Sequence, residues 1–249
     1  MSAPELAVKL DAVTKSFGAR RVLDQVTLEV PEGCGFVILG RSGTGKSVTL
    51  RHIIGLVRPD AGRVFVHGAD ITELHGAELA EVRKQVGFLF QSAALFDSIS
   101  VGENVAFPMR RHTRLGEAEI KQRALAKLES VGLGNDYDKM PGDLSGGMRK
   151  RAGLARAMAL DPRVLLVDEP SAGLDPITSE EIDELLLGLK QERKTTLVVV
   201  THNIPSARKL GDHLVMLDKG RIAAQGTVAE LEASENALVR AFMSSSHAG

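Results

Sequence analysis

Apolar and polar positions alternate along the start of the chain, with Leu6, Val8 and Leu10 and then Val26, Leu28 and Val30 on one side. A period of two predicts two half-buried strands separated by a turn around Gly18. Residues 35–39 form a short, largely apolar run of the kind buried on both faces, and 48–54 continues in a helix-compatible pattern. Further strands are predicted at 63–67, 86–90, 164–167 and 196–200, and a hairpin at 214–218 and 221–224 turns on Lys219 and Gly220. Helices are predicted at 147–160 and at 178–192, where Ile182, Leu185, Leu186 and Leu189 face inward. Between Ser92 and Leu144 the strand pattern stops, and Ile120, Ala124, Leu128 and Val131 share one helical face. Strands alternating with amphipathic helices imply an α/β fold with a mostly parallel sheet covered on both faces. One unit over 6–242 is expected, with 92–150 as an inserted helical subdomain and 243–249 as a short tail.

Composition narrows the class. The 249 residues suffice for one large α/β domain with a filled core. Basic and acidic residues number 31 and 32, a formal net charge of −1, so no global field favours nucleic acid or an anionic membrane. Cys34 is the only cysteine, which excludes an internal disulfide or a cysteine cluster for metal; a buried, small hydrophobe in a reducing compartment is the expectation. Residues 1–5 lack a basic start and a long apolar run, and apolar runs elsewhere are strand-sized, so a cytosolic chain without signal or span is expected.

The chemistry is concentrated first at Gly40, Arg41, Ser42, Gly43, Thr44, Gly45, Lys46 and Ser47, leading into Val48. Gly, four free positions, then Gly-Lys-Ser between a buried strand and a helix is the pattern of a phosphate-binding loop. Its glycines let the backbone approach phosphate, and N–H groups at the helix start point at the anion. Lys46 would neutralise the β- and γ-phosphates and the Ser47 hydroxyl would ligate Mg²⁺. The alternative, a glycine-rich turn with a surface lysine, fits this spacing by chance only about once in a hundred chains of this length.

Three more strands end in chemistry. The 164–167 strand runs into Asp168 and Glu169, whose side chains on an extended backbone would point to opposite faces. Asp168 would then serve Mg²⁺ through water, and Glu169 would act as general base for a water nucleophile. A capping acid pair before Pro170 is the alternative. His202 follows the 196–200 strand and is expected to contact the γ-phosphate, although a lone histidine is commonly a satisfied core residue. Gln91 follows the 86–90 strand, where its amide could reach Mg²⁺ or the attacking water, or simply open a loop. Ser145, Gly146 and Gly147 open a helix. Locally Ser145 is an N-cap, yet the pair of glycines also makes a second anion-binding nest, which one triphosphate does not need twice. A dimer in which this nest closes on the partner's nucleotide follows.

In this order the motifs resemble those of the ATP-binding subunits of ABC transporters, over about 6–242. They are Phe17, the phosphate loop, Gln91, the 144–148 signature, Asp168 with Glu169, the 171–175 loop and His202. The resemblance implies a RecA-like phosphate-loop core with an N-terminal antiparallel β subdomain and an inserted helical subdomain. It also implies an ATP-induced, head-to-tail homodimer. Each ATP with its Mg²⁺ would lie between one chain's phosphate loop and the other's Ser145, Gly146 and Gly147, with Asp175 in the dimer loop. Phe17 stands where many members have Tyr to stack on adenine, and Met148 replaces the usual Gln. Met148, the stretches 90–96 and 103–108, and 168–178 are similar to the ATPase of Mla-type phospholipid transporters. That implies a peripheral protein on the cytoplasmic face of the inner membrane that powers phospholipid transport and outer-membrane lipid asymmetry. Its expected partners are an MlaE-like permease, an MCE-domain lipid carrier and a STAS-domain protein, and no nucleic acid. The apolar cluster Ala93, Ala94, Leu95 and Phe96 after Gln91 would meet the permease, though Leu95 and Phe96 could pack inward instead. The other readings are transport of a small solute, a soluble ABC ATPase acting on nucleic acid, and a phosphate-loop kinase, against which the Ser145 nest argues.

Overall fold

The computed structural model describes residues 5–245, so the expectations for residues 1–4 and for the end of the tail lie outside the described residues. The alternating start forms β1 (Leu6–Phe17) and β2 (Arg20–Pro31), joined at Gly18, whose φ of 58° suits a residue without Cβ. The buried run is β3 (Gly35–Leu39), followed by α1 (Lys46–Ile53). Then come β4 (Ala61–Val66), β5 (Ala69–Asp70), α2 (Gly76–Lys84) and β6 (Val86–Leu89). The strand-free stretch holds α3 (Val101–His112) and α4 (Glu117–Glu129), and α5 (Gly146–Ala157) leads back to the sheet. The chain then alternates through β7 (Val164–Asp168), α6 (Pro176–Arg193), β8 (Thr196–Thr201), α7 (Ile204–Leu210) and β9 (His213–Asp218). It ends in β10 (Arg221–Gly226), α8 (Val228–Glu232) and α9 (Ala237–Ser244).

Two sheets result. β2, β1, β4 and β5 make an antiparallel sheet in that order, and β10-β9-β3-β8-β7-β6 make the second, parallel except at the β9–β10 hairpin. Every residue of β3, β7 and β8 is buried, as expected of strands covered on both faces. The period of two divides these strands between two cores. Val37, Leu39, Leu165, Val167, Leu197 and Val199 pack toward the helices, among them Val105, Leu128 and Leu186. Phe36, Ile38, Leu166 and Val198 instead pack with Leu10, Leu28 and Val64 of the antiparallel sheet and Leu50 of α1. One face of the parallel sheet is therefore covered chiefly by helices, whereas the other meets the antiparallel sheet.

The structure corrects several boundaries. β4 ends before His67, which turns with Gly68 at φ values of 46° and 77° into β5, a strand too short for any periodic signal. α2 was not foreseen, because Leu79 is its one buried residue. α5 ends at Ala157 rather than at residue 160.

One buried group makes stability depend on pH. Asp183 on α6 is 5% exposed; its Oδ2 accepts from the Ser206 hydroxyl at 2.6 Å, and its Oδ1 has no hydrogen-bond partner among the described residues. Burial pushes its carboxyl above the usual range, against the pull of the Ser206 bond and Lys209. A carboxyl raised in the folded state keeps its proton there, so stability falls as pH climbs past the unfolded value of about 3.9. Asp183→Asn is expected to melt a few degrees above the native chain near neutral pH, with the gap closing toward about pH 4. Identical melting temperatures across that range would contradict this.

Candidate active site

The parallel register brings four strand ends to one edge. β3 ends before the glycine-rich loop, β8 before His202, β7 at Asp168 and β6 just before Gln91, and these strands are immediate neighbours. The carboxyl edge of such a sheet is where ligands bind.

The loop closes on itself before α1 begins. Gly40, Gly43 and Gly45 have φ values of 151°, 78° and 107°; a Cβ on Gly45 would stand 2.8 Å from the Val22 carbonyl, and one on Gly40 2.4 Å from that of Leu217. Lys46, 6% exposed, donates to the carbonyls of Gly40 at 2.8 Å and Arg41 at 3.3 Å and lies 3.4 Å from Glu169 Oε1. The Thr44 hydroxyl donates to the Arg41 carbonyl at 2.9 Å, and Arg20 Nη2 to that of Gly43 at 3.0 Å.

The acid pair departs from the extended geometry that would send its side chains apart. Asp168 Oδ1 accepts from the Ser47 hydroxyl at 2.8 Å, and burial raises its carboxyl despite that bond. Glu169 has a φ of 47°, left-handed, a conformation costing a non-glycine residue about 1–2 kcal/mol. This turn directs both carboxylates to the same edge. Glu169 Oε2 contacts His202 Nδ1 at 2.9 Å and accepts from the His202 backbone N–H at 3.3 Å. Its N–H donates to the Val200 carbonyl at 2.8 Å, and its carbonyl accepts from the Ala172 N–H at 3.2 Å and from Lys150 Nζ at 3.1 Å.

A cavity of about 560 Å³ opens over this edge. Its walls include Phe17, Arg41, Ser42, Gly43, Gly45, Lys46, Ser47, Val48, Gln91, Glu169 and His202, while Gly40, Thr44 and Asp168 support it from behind. The Phe17 ring is half-exposed, with Lys15 Nζ 5.6 Å from its centroid. Ser145, Gly146, Gly147 and Asp175 are not brought to this cavity. Ser145 caps α5 by accepting from the Met148 N–H at 3.2 Å, and Gly147 packs so closely on Thr178 that a Cβ would stand 2.4 Å from its methyl. Asp175 caps α6, accepting from the Thr178 N–H at 3.0 Å and its hydroxyl at 2.6 Å, which hold its carboxyl below the usual range. Arg20, Val22 and Phe242 also line the cavity and Lys150 supports Glu169, none of which sequence reasoning found. Phe242 comes from α9, far along the chain, and no local motif marks it.

A phosphate loop at a helix start, with a hydroxyl, two acids and a histidine along one parallel edge, defines a phosphate-loop nucleoside triphosphatase. Residues 23–172 match the family model described as ABC transporter, and the chain belongs to that family. It is 44% identical over 244 residues to the probable ribonucleotide transport ATP-binding protein mkl of Mycobacterium leprae, spanning 98% of this chain and 70% of that one. It is 41% identical over 236 residues to the intermembrane phospholipid transport system ATP-binding protein MlaF of Haemophilus influenzae, spanning 95% and 89%. A dimeric, post-hydrolysis structure of an ATP-binding cassette bound to ADP and Pi aligns with a TM-score of 0.83 at 35% identity, covering 88% of this chain and 98% of that one. The chain is an ABC-type ATPase subunit closely related to proteins of the mkl and MlaF kind.

Gly45→Ala is expected to cost at least about 1–2 kcal/mol, from the left-handed φ and the Val22 contact together. Gly188→Ala, inside α6 with open space around it and no left-handed φ, should lose no stability. Chemical denaturation of both variants checks this, and equal stability would contradict the packing described for the loop.

Proposed function

We propose that this chain binds ATP with Mg²⁺ in the cavity above and hydrolyses it as a head-to-tail dimer. In doing so it drives a membrane-embedded permease from the cytoplasmic face of the inner membrane. The observation that supports this most is the convergence of Lys46, Ser47, Asp168, Glu169 and His202 through contacts of 2.8–3.4 Å. In this reading Lys46, the loop N–H groups and the positive end of α1 face the phosphates. The Ser47 hydroxyl is a hard oxygen donor that suits Mg²⁺, and the Asp168 carboxylate 2.8 Å from it would serve the ion through water. Gln91 stands at the neighbouring strand end to join them or to orient the attacking water. Bound Mg²⁺ supplies charge neutralisation at the phosphates. Glu169 accepts the proton of the attacking water while His202, held by its Oε2, faces the γ-phosphate. The half-exposed Phe17 ring offers a stacking face for adenine.

Ser145 and Gly146 are exposed at the start of α5 and away from their own chain's cavity, which supports the reading that they meet a second chain's nucleotide. Gly147 packs behind them and Asp175 lies on the neighbouring exposed loop. The dimeric cassette among the similar structures supports this assembly. On this view 6–242 works as one domain, with 92–150 as its helical insertion.

The region after Gln91 suits a permease contact. Ala93 and Ala94 have φ values of 60° and 50°, and Arg156 of α5 donates to both carbonyls, at 2.8 and 2.7 Å. The buried Asn104 side chain accepts from the Phe96 N–H at 2.8 Å and donates to its carbonyl at 3.0 Å. Leu95 packs against the core, whereas Phe96 and Phe107, ring centroids 5.1 Å apart, are exposed beside a cavity of about 430 Å³. Among the described residues no helix is long and apolar enough to cross a membrane, so the transport path would belong to that partner.

The expected phospholipid cargo receives divided support. Relatives at 44% identity are named for ribonucleotide transport and those at 39–41% for phospholipid transport. The reading that stands best is a transport ATPase whose cargo is chosen by its permease, with phospholipid as one candidate.

Purifying the tagged chain from gently solubilised membranes tests the whole reading. A permease is expected to arrive with it and to support ATP hydrolysis, and Glu169→Gln in that complex should lose roughly 10²–10⁴-fold in turnover. An MCE-domain carrier and phospholipid in the complex would support the lipid cargo, and a solute-binding protein would replace it. Unchanged turnover in Glu169→Gln would remove Glu169 from the mechanism, and recovery without any membrane protein would overturn the transport assignment.

A further inference from the structure

Lys150 lies on the second turn of α5 with 5% of its surface exposed, and the mechanism above leaves it without a task. A buried ammonium is expensive unless polar groups meet it, and in a purely packing position an apolar side chain of similar length would serve better. Its Nζ donates to the Glu169 carbonyl at 3.1 Å, with the Asp168 and Glu169 carboxylates as the nearby opposite charges. The residue it grips has a left-handed backbone, with a φ of 47°. Were Glu169 to relax to extended backbone, its side chain would turn to the face opposite Asp168, away from Lys46 and His202. Position on the helix matters as well. Lys150 follows Ser145 by five residues, about 7.5 Å along the axis, so one rigid element carries both the exposed serine–glycine nest and the grip on Glu169.

We propose that Lys150 is a positioning residue for hydrolysis: it holds Glu169 in the turn that aims its carboxylate at the cavity, and so ties each chain's acid to the signature nest at the start of the same helix. Seating the nest on a partner's nucleotide would thereby set the acid that acts on the chain's own nucleotide. This rests on the reading of Glu169 as general base.

The test is a double-mutant cycle in the full chain, following steady-state ATPase, single-turnover hydrolysis and ATP affinity. Lys150→Met is expected to lower kcat at least tenfold while KM stays within about twofold, because it acts on orientation rather than on nucleotide binding. Lys150→Arg, which keeps a charged donor, should recover most of kcat. In the Glu169→Gln background Lys150→Met should add no further loss, since the carboxylate it positions is already gone. Full kcat in Lys150→Met, or the same loss in both backgrounds, would overturn the proposal. Native turnover in Glu169→Gln alone would instead overturn the underlying reading of that residue. Should Lys150→Met melt too early for assay, Lys150→Leu, which also lacks a donor, takes its place in the same cycle.

Discussion

A buried positive charge at the first turn of α1 is the constraint on which the site depends. Lys46 is almost wholly shielded from water, so its ammonium must be met by oxygen. The loop meets it with two of its own carbonyls, which requires the three left-handed glycines, and the sheet meets it with Glu169. Glu169 can do so only by leaving extended backbone, and that turn in turn engages His202 and Lys150. Loop, acid, histidine and signature helix are thus linked by one chain of contacts. The sheet supplies the rigidity: β3, β8 and β7 lie side by side in register with every residue buried, leaving their ends little freedom.

The same arrangement would let α5 couple the proposed nucleotide site to the proposed membrane partner. Its start carries the exposed serine and glycine, its middle holds the Glu169 backbone and its last turn holds the carbonyls of Ala93 and Ala94 just beyond Gln91. A displacement of this helix would be felt at all three places at once. The proposed cycle, in which ATP joins two chains and hydrolysis releases them, needs such an element.

Much of this was legible in the sequence because it is local. The phosphate loop declares itself through spacing within one strand–loop–helix unit, and the apolar runs that became β3, β7 and β8 are continuous enough to read as buried strands. The order of the motifs led to the ABC family before any coordinates. What stayed hidden is tertiary. An extended strand would part Asp168 from Glu169, and the turn that reunites them is met by contacts from β8, Ala172, His202 and Lys150 that no local pattern announces. Phe242 reaches the cavity from the far end of the chain, and β5 and α2 bury too little to leave a pattern. Ser145 and Asp175 are caps when the chain is viewed alone, and the larger role proposed for them needs a second copy.

The most direct test of that second copy is the mass of the Glu169→Gln chain in solution, measured by sedimentation with and without ATP and Mg²⁺. A composite site built from two chains calls for a shift from one chain to two on adding ATP, with one ATP retained per chain. Gly146→Asp in the same background, placing a carboxylate in the nest, should hold the mass at one chain. A Glu169→Gln chain that binds ATP fully yet never pairs, or one that pairs regardless of Gly146→Asp, would contradict the account.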